Sequence, residues 1–217
     1  MSDNPSILTP AEFQAITDVS RETMDRLTTY VETLVKWQKA INLVSRKSLD
    51  DVWRRHILDS LQVLEHAPEG ANVWFDLGSG AGLPGLILAI LGAGQVHLVE
   101  SDSRKCAFLA EAARLTGTDI TLHNCRIEEI WQKSEKPDRV DVITARALAD
   151  FDTLIEWAQP LATPDTVCLF LKGQDVENEL TKSSKKGTLS IEKLPSTTNP
   201  ESVILRLSGL GQSSEKS

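Results

Sequence analysis

The sequence predicts an α/β fold in which a mainly parallel, Rossmann-like sheet follows an N-terminal helical extension. Three patterns predict it. Up to residue 69 the apolar residues recur at helical spacing, and from residue 70 to 211 short β-rich runs alternate with helical stretches. That alternation places helices on both faces of a parallel sheet. The last two β-rich runs have no helix-length spacer between them, so the final strand is expected to be antiparallel.

The elements follow in order. Thr9-Pro10-Ala11-Glu12 reads as a helix start, with Thr9 as cap, Pro10 at the first helical position and Glu12 reaching back. From Ser20 to about Gln38, Met24, Leu27, Val31, Leu34, Val35 and Trp37 form one apolar stripe. Ser48 with Asp51 reads as a second capping box, opening one helix through Trp53, Ile57, Leu61 and Leu64 until Pro68-Glu69-Gly70. The strand candidates are Asn72–Leu77, Gln95–Glu100, Asp119–Asn124, Arg139–Ala145 and Thr166–Leu171, with helices expected near 83–92, 103–116, 127–132 and 150–161. After Gly173 the chain turns polar, then gives strand-like runs at Thr188–Lys193 and Ser202–Leu207 and a tail, 212–217, expected to fray.

Composition narrows the class. The 217 residues suffice for one substantial core plus an appendage. No apolar run reaches the roughly 18 residues of a membrane span, and Met1 to Pro10 lack the pattern of an export signal, which gives the expectation of a cytoplasmic protein without membrane attachment. The three cysteines and four histidines show no metal-ligand spacing, so no metal is expected. A net charge of −8 argues against nucleic-acid binding through overall charge, and any such partner must use a local patch.

The most informative segment is Val73-Trp74-Phe75-Asp76-Leu77-Gly78-Ser79-Gly80-Ala81-Gly82-Leu83-Pro84-Gly85. Gly80, Gly82 and Gly85 have the spacing of a dinucleotide loop, and Glu100 stands 20 residues after Gly80 at the end of the next strand, where a carboxylate can take ribose hydroxyls. By spacing alone, a nicotinamide nucleotide and S-adenosyl-L-methionine both fit. Asp76 at the strand tip, the additional Gly78 and the antiparallel ending favour S-adenosyl-L-methionine, which carries an ammonium and a sulfonium and no phosphate.

The segments Arg55-His56-Ile57-Leu58-Asp59-Ser60 and Asp76 to Gly85 resemble the RsmG family, also called GidB, the ribosomal RNA small subunit methyltransferase G proteins. Further matching segments are Trp37 to Ser45, Glu100 to Leu109, Cys125 to Glu129, Thr144 to Ala147 and Leu171-Lys172-Gly173. The resemblance implies a class I S-adenosyl-L-methionine-dependent enzyme that methylates N7 of guanine 527 of 16S rRNA in the small ribosomal subunit. It places cofactor contacts on Gly78, Leu83, Ile127, Glu128 and Arg146, to which the loop chemistry adds Asp76, Gly80 and Glu100. Ile127 stands where many members have Val, and Glu100 where many have Asp.

Guanine N7 carries a lone pair and no proton, so the implied chemistry requires alignment and stabilisation of charge on the base rather than a general base. Arg146, after the fourth strand, is the first candidate for orienting base or cofactor, and Arg126 the second. Arg55, His56 and Lys172 are candidate RNA contacts. A monomer is expected. The competing expectations are a class I methyltransferase acting on another RNA, a protein or a small molecule, a nicotinamide-dependent oxidoreductase, and a noncatalytic nucleotide sensor.

Overall fold

A computed structural model describes residues 7–133, 137–183 and 189–211. The expected tail at 212–217 and the first residue of the run at Thr188 lie outside the described residues. The sheet has seven strands in the order β3-β2-β1-β4-β5-β7-β6. These are β1 (Val73–Leu77), β2 (Gln95–Glu100), β3 (Thr121–Asn124), β4 (Val142–Arg146), β5 (Val167–Lys172), β6 (Ser190–Pro195) and β7 (Val203–Ser208). Strands β1 to β5 are parallel, and β7 runs antiparallel to both β5 and β6. The antiparallel ending therefore takes the form of a hairpin on the far edge.

Successive side chains of a strand point to opposite faces, and both faces here are covered. Trp74, Leu98, Val142 and Leu169 pack with Leu27, Tyr30, Leu86 and Phe108, which brings the helical extension into the same core as α5 (Gly85–Ile90) and α6 (Ser103–Thr116). Phe75, Leu77, Ile143, Cys168 and Phe170 face α8 (Phe151–Ala158) on the other side. At the start of β1, the Asp141 carboxylate accepts the Asn72 and Val73 N–H groups, each at 2.9 Å. Because β2 and β4 lie on opposite sides of β1, the sheet has its switch point at the carboxyl end of β1, where open α/β sheets form a ligand crevice.

In the extension, α1 (Pro10–Thr17) has the reciprocal Thr9–Glu12 cap, and α2 (Arg21–Trp37) is capped by Ser20. The stripe on α2 is rotated from the one read in the sequence: Tyr30 is fully buried, whereas Val35 is 43% exposed. The single helix expected from Ser48 is instead broken. Ser45, not Ser48, caps α3 (Arg46–Leu49), and a π-helical segment, Trp53–Leu58, leads into α4 (Asp59–Leu61) and a 3-10 turn, Gln62–His66. Asp51 does not cap: its carboxylate accepts the Leu8 N–H at 2.9 Å and the Arg54 Nε–H at 3.1 Å.

Other differences are smaller. The helix expected at 127–132 is a 3-10 turn, Ile127–Glu129, followed by α7 (Ile130–Lys133). The stretch after Gly173 contains α9 (Val176–Lys182), which buries Val176 and Leu180, four residues apart. Strand β4 starts at Val142 rather than Arg139, because Arg139 and Asp141 pair with each other beside the sheet end.

Candidate cofactor and acceptor site

At the carboxyl ends of β1, β2 and β4 lies an open cavity of about 570 Å³. The loop between β1 and α5 forms its floor. Gly78 has φ +62, a left-handed conformation that strains other residues, and a Cβ there would lie 2.3 Å from Leu148 Cδ1 and force that side chain to move. Ser79 N–H donates to Val99 O at 3.0 Å, and Tyr30, from α2, donates its hydroxyl to Ala81 O at 2.7 Å. The extension thus buttresses the loop from below.

The Glu100 carboxylate fixes the opposite wall. Its Oε2 accepts the Gly80 N–H at 2.9 Å and its Oε1 accepts the Asp102 N–H at 2.8 Å, while the residue still lines the cavity. Each oxygen has a further lone pair free for a hydroxyl. Val99, Cys125, Ile127 and Leu83 give an apolar surface beside it. Glu128 accepts the Trp157 indole N–H at 3.0 Å. A cavity with a paired-hydroxyl acceptor next to an apolar wall suits an adenosine group.

Asp76 is placed differently from the sequence expectation. It is 1% exposed and lies beneath the loop, outside the cavity lining, with Oδ1 accepting the Thr144 hydroxyl at 2.8 Å. Burial pushes its carboxyl up to about 6, against the lowering effect of hydroxyl and backbone donors around it. Gly85 lies directly over it, where a Cβ would come within 2.6 Å of Asp76 Cβ and 2.5 Å of Leu98 Cδ2. Alternation along β1 explains the placement, since Asp76 shares the Trp74 face and meets α5 rather than the strand's open end.

The acceptor side is built around Arg146 at the end of β4. Its Nη2 donates to Arg55 O at 3.0 Å and to His56 Nδ1 at 2.9 Å, and its Nη1 lies 3.5 Å from Asp59 Oδ2. Nη1 is buried and has no hydrogen-bond partner among the described residues. Arg126 and Arg55 are exposed on the cavity wall, and Lys105 also lines it. Lys172 lies apart, in adjoining crevices: it is 8% exposed, donates to Ala149 O at 2.7 Å and pairs with Glu179 at 2.7 Å. The structure therefore brings Gly78, Gly80, Leu83, Glu100, Arg126, Ile127, Glu128, Arg146, Arg55 and His56 to one cavity and leaves Asp76 and Lys172 outside it.

Residues not singled out from the sequence also line the cavity, notably Leu43, Val44, Ser45 and Ser48 from the extension, and Trp157 from α8. Leu43, Val44 and Ser45 fall in the Trp37 to Ser45 segment that carries the family resemblance, and Ser48 was read only as a helix cap.

The sequence profile of the rRNA small subunit methyltransferase G family, GidB, matches residues 23–203. This chain belongs to the GidB family. The ribosomal RNA small subunit methyltransferase G of Parvibaculum lavamentivorans is 49% identical over 214 residues, covering 97% of this chain and 93% of that one. Its Rhodospirillum centenum counterpart is 51% identical over 197 residues, covering 91% and 89%. Among solved structures, a mutant of MtNAS in complex with S-adenosylmethionine has a TM-score of 0.56 at 15% identity, covering 94% of this GidB chain and 85% of that chain. The fibrillarin/Nop5p complex gives 0.56 at 16% identity, covering 73% and 83%. These distant structures share the class I methyltransferase fold.

Proposed function

We propose that this GidB protein transfers the methyl group of S-adenosyl-L-methionine to N7 of guanine 527 of 16S rRNA in the small ribosomal subunit. The observation that carries the reading is the joining, in one cavity, of the loop Gly78 to Leu83 and Glu100 with a half-buried Arg146 whose Nη1 makes no hydrogen bond among the described residues. The curated relatives named ribosomal RNA small subunit methyltransferase G, 49% and 51% identical over most of the chain, support it.

The cofactor supplies an electrophilic methyl group on sulfur. The protein's own residues bind and orient. Of the residues lining the cavity, Glu100 would hold the ribose hydroxyls, the backbone of Gly78 and Gly80 the amino-acid part, and Leu83, Ile127 and Glu128 the purine. Guanine N7 needs no proton removed. Arg146 Nη1 is the donor left for guanine O6 or for the cofactor's carboxylate, in a desolvated position where such a donor is worth most. Arg126 and Arg55, at the mouth, meet phosphates of an exposed RNA loop. In A-form helices the N7 edge is inaccessible, so the target base must be unstacked or in a distorted strand. We expect the protein to act as a monomer in the cytoplasm.

The test is incubation of the purified protein with radiolabelled S-adenosyl-L-methionine and small subunits from cells lacking this activity, followed by chain cleavage at 7-methylguanine. Label at the single guanine supports the reading. Binding of S-adenosylhomocysteine without label would overturn the substrate, and binding of NAD in its place would overturn the cofactor.

A further inference from the structure

The direction of every hydrogen bond around Arg146 is determined. A guanidinium has donors and no acceptor, so His56 Nδ1, 2.9 Å from Arg146 Nη2, must accept. The ring proton then sits on Nε2, which is 2.9 Å from Ser48 Oγ and donates to it. The Ser48 hydroxyl in turn donates to Ser45 O at 2.7 Å. The chain runs from Arg146 through His56 and Ser48 to a backbone carbonyl, and all four residues line the cavity.

A buried histidine with both nitrogens satisfied is commonly a packing residue. Here three features go beyond packing. His56 is 3% exposed and holds an arginine at the end of β4 from the helical extension, 90 residues earlier in sequence. The π-helical turn Trp53–Leu58 departs from regular helix at the residues that present the ring and the Arg55 carbonyl, and such turns concentrate at functional sites. The arginine so held keeps a buried Nη1 that makes no hydrogen bond among the described residues and faces only the Asp59 carboxylate, at 3.5 Å. Burial and the charges of Arg146 and Arg55 lower the ring to about 3, so it stays neutral and able to accept throughout the working range.

We propose that His56, which accepts from Arg146 at Nδ1 and is anchored through its Nε2–H by Ser48, is the positioning residue that aims the Arg146 guanidinium at the acceptor end of the cavity. The functional consequence rests on the methyltransferase reading above, whereas the tautomer does not. His56→Asn keeps an acceptor near the Nδ1 place and loses the Ser48 arm. His56→Gln reaches toward Ser48 and leaves Arg146 without that acceptor, and Ser48→Ala removes the group that anchors the Nε2–H side of the ring.

The experiment combines the ring nitrogen resonances of His56 with steady-state methyl transfer to small subunits and thermal unfolding. The wild-type ring should show the Nε2–H tautomer from about pH 6 to 8. His56→Gln should lower kcat about 10- to 100-fold with little change in KM. His56→Asn should recover most of that loss even where its unfolding temperature matches that of the Gln variant. Ser48→Ala should keep the Nε2–H tautomer, which the Arg146 donor imposes, and give an intermediate kcat because the ring loses its anchor. An Nδ1–H tautomer in the wild type, or Asn and Gln variants equally impaired in proportion to their stability, would overturn the proposal. A wild-type protein that binds cofactor yet transfers no methyl group would sink the methyltransferase reading alone, with the tautomer still deciding the relay.

Discussion

Thr198 donates its hydroxyl to Asp59 Oδ1 at 2.6 Å across 139 residues of sequence, and the other oxygen of that carboxylate faces Arg146 Nη1 at 3.5 Å. The loop between β6 and β7 thus helps to place the carboxylate that borders the acceptor side of the cavity. Gln62, 1% exposed, ties the same parts together: its Oε1 accepts the Thr197 N–H at 3.0 Å and its Nε2 donates to Asp59 Oδ1 at 2.9 Å.

Replacing Gln62 by Leu should therefore destabilise the fold by about 1–3 kcal/mol, the range for leaving buried partners unsatisfied. The same variant should expose the β6–β7 loop to proteases. Urea unfolding and limited proteolysis measure the two effects, and a variant as stable and as resistant as wild type would contradict the latch.

Glu100→Gln places an amide NH₂ where one carboxylate oxygen now accepts a backbone N–H from Gly80 or Asp102. We expect S-adenosylhomocysteine affinity to fall about 10- to 100-fold, as 1.4 kcal/mol corresponds to a factor of ten. Calorimetric titration reads this directly. Equal affinity would show that the carboxylate neither shapes the loop nor binds the ligand.

Gly85 and Gly92 separate two reasons for glycine. A Cβ at Gly85 would collide with Leu98 and Asp76, whereas Gly92, at φ +87, has open space around it. Gly85→Ala should cost about 1–3 kcal/mol through overpacking, and Gly92→Ala about 1 kcal/mol through backbone strain. Only the first should also weaken cofactor binding, since it displaces the loop. Denaturation and calorimetry on both variants decide the matter.

Asp76 gives a pH signature. Its carboxyl is raised from 3.8 to about 6 by burial, so the folded state holds its proton more tightly than the unfolded chain. As pH rises through that window, the unfolded state ionises first and stability falls. The loss is complete above about pH 6 and, at about 1.4 kcal/mol per pH unit, amounts to about 3 kcal/mol. Asp76→Asn removes this dependence. The variant should therefore gain on wild type by that order between pH 4 and 7 in urea unfolding, and a pH-independent difference would show that the Asp76 carboxyl titrates in the fold as it does in the unfolded chain.

Much of the fold was legible because its signals are local. The β1 run, the glycines after it and Glu100 at the end of β2 lie in consecutive elements, so sequence spacing reports their proximity. The Thr9 cap was equally readable, because both of its partners lie within three residues. Helix α9 was not read, since its only apolar signal is Val176 with Leu180, in a run otherwise polar. The burial of Asp76 was not legible for a related reason: a carboxylate at a strand tip is the same letter whether its face meets ligand or helix.

The sequence by itself determined the sheet order's parallel core, the glycine loop and its acidic partner, because hydrophobic period and backbone permissiveness act over a few residues. The tertiary structure decided what lies around Arg146. His56 and Asp59 reach it from about 90 residues earlier, and Thr198, about 50 residues after it, holds Asp59. Which donor faces which acceptor is settled only when the extension and the final hairpin pack against the sheet, since buried polar groups must find partners there.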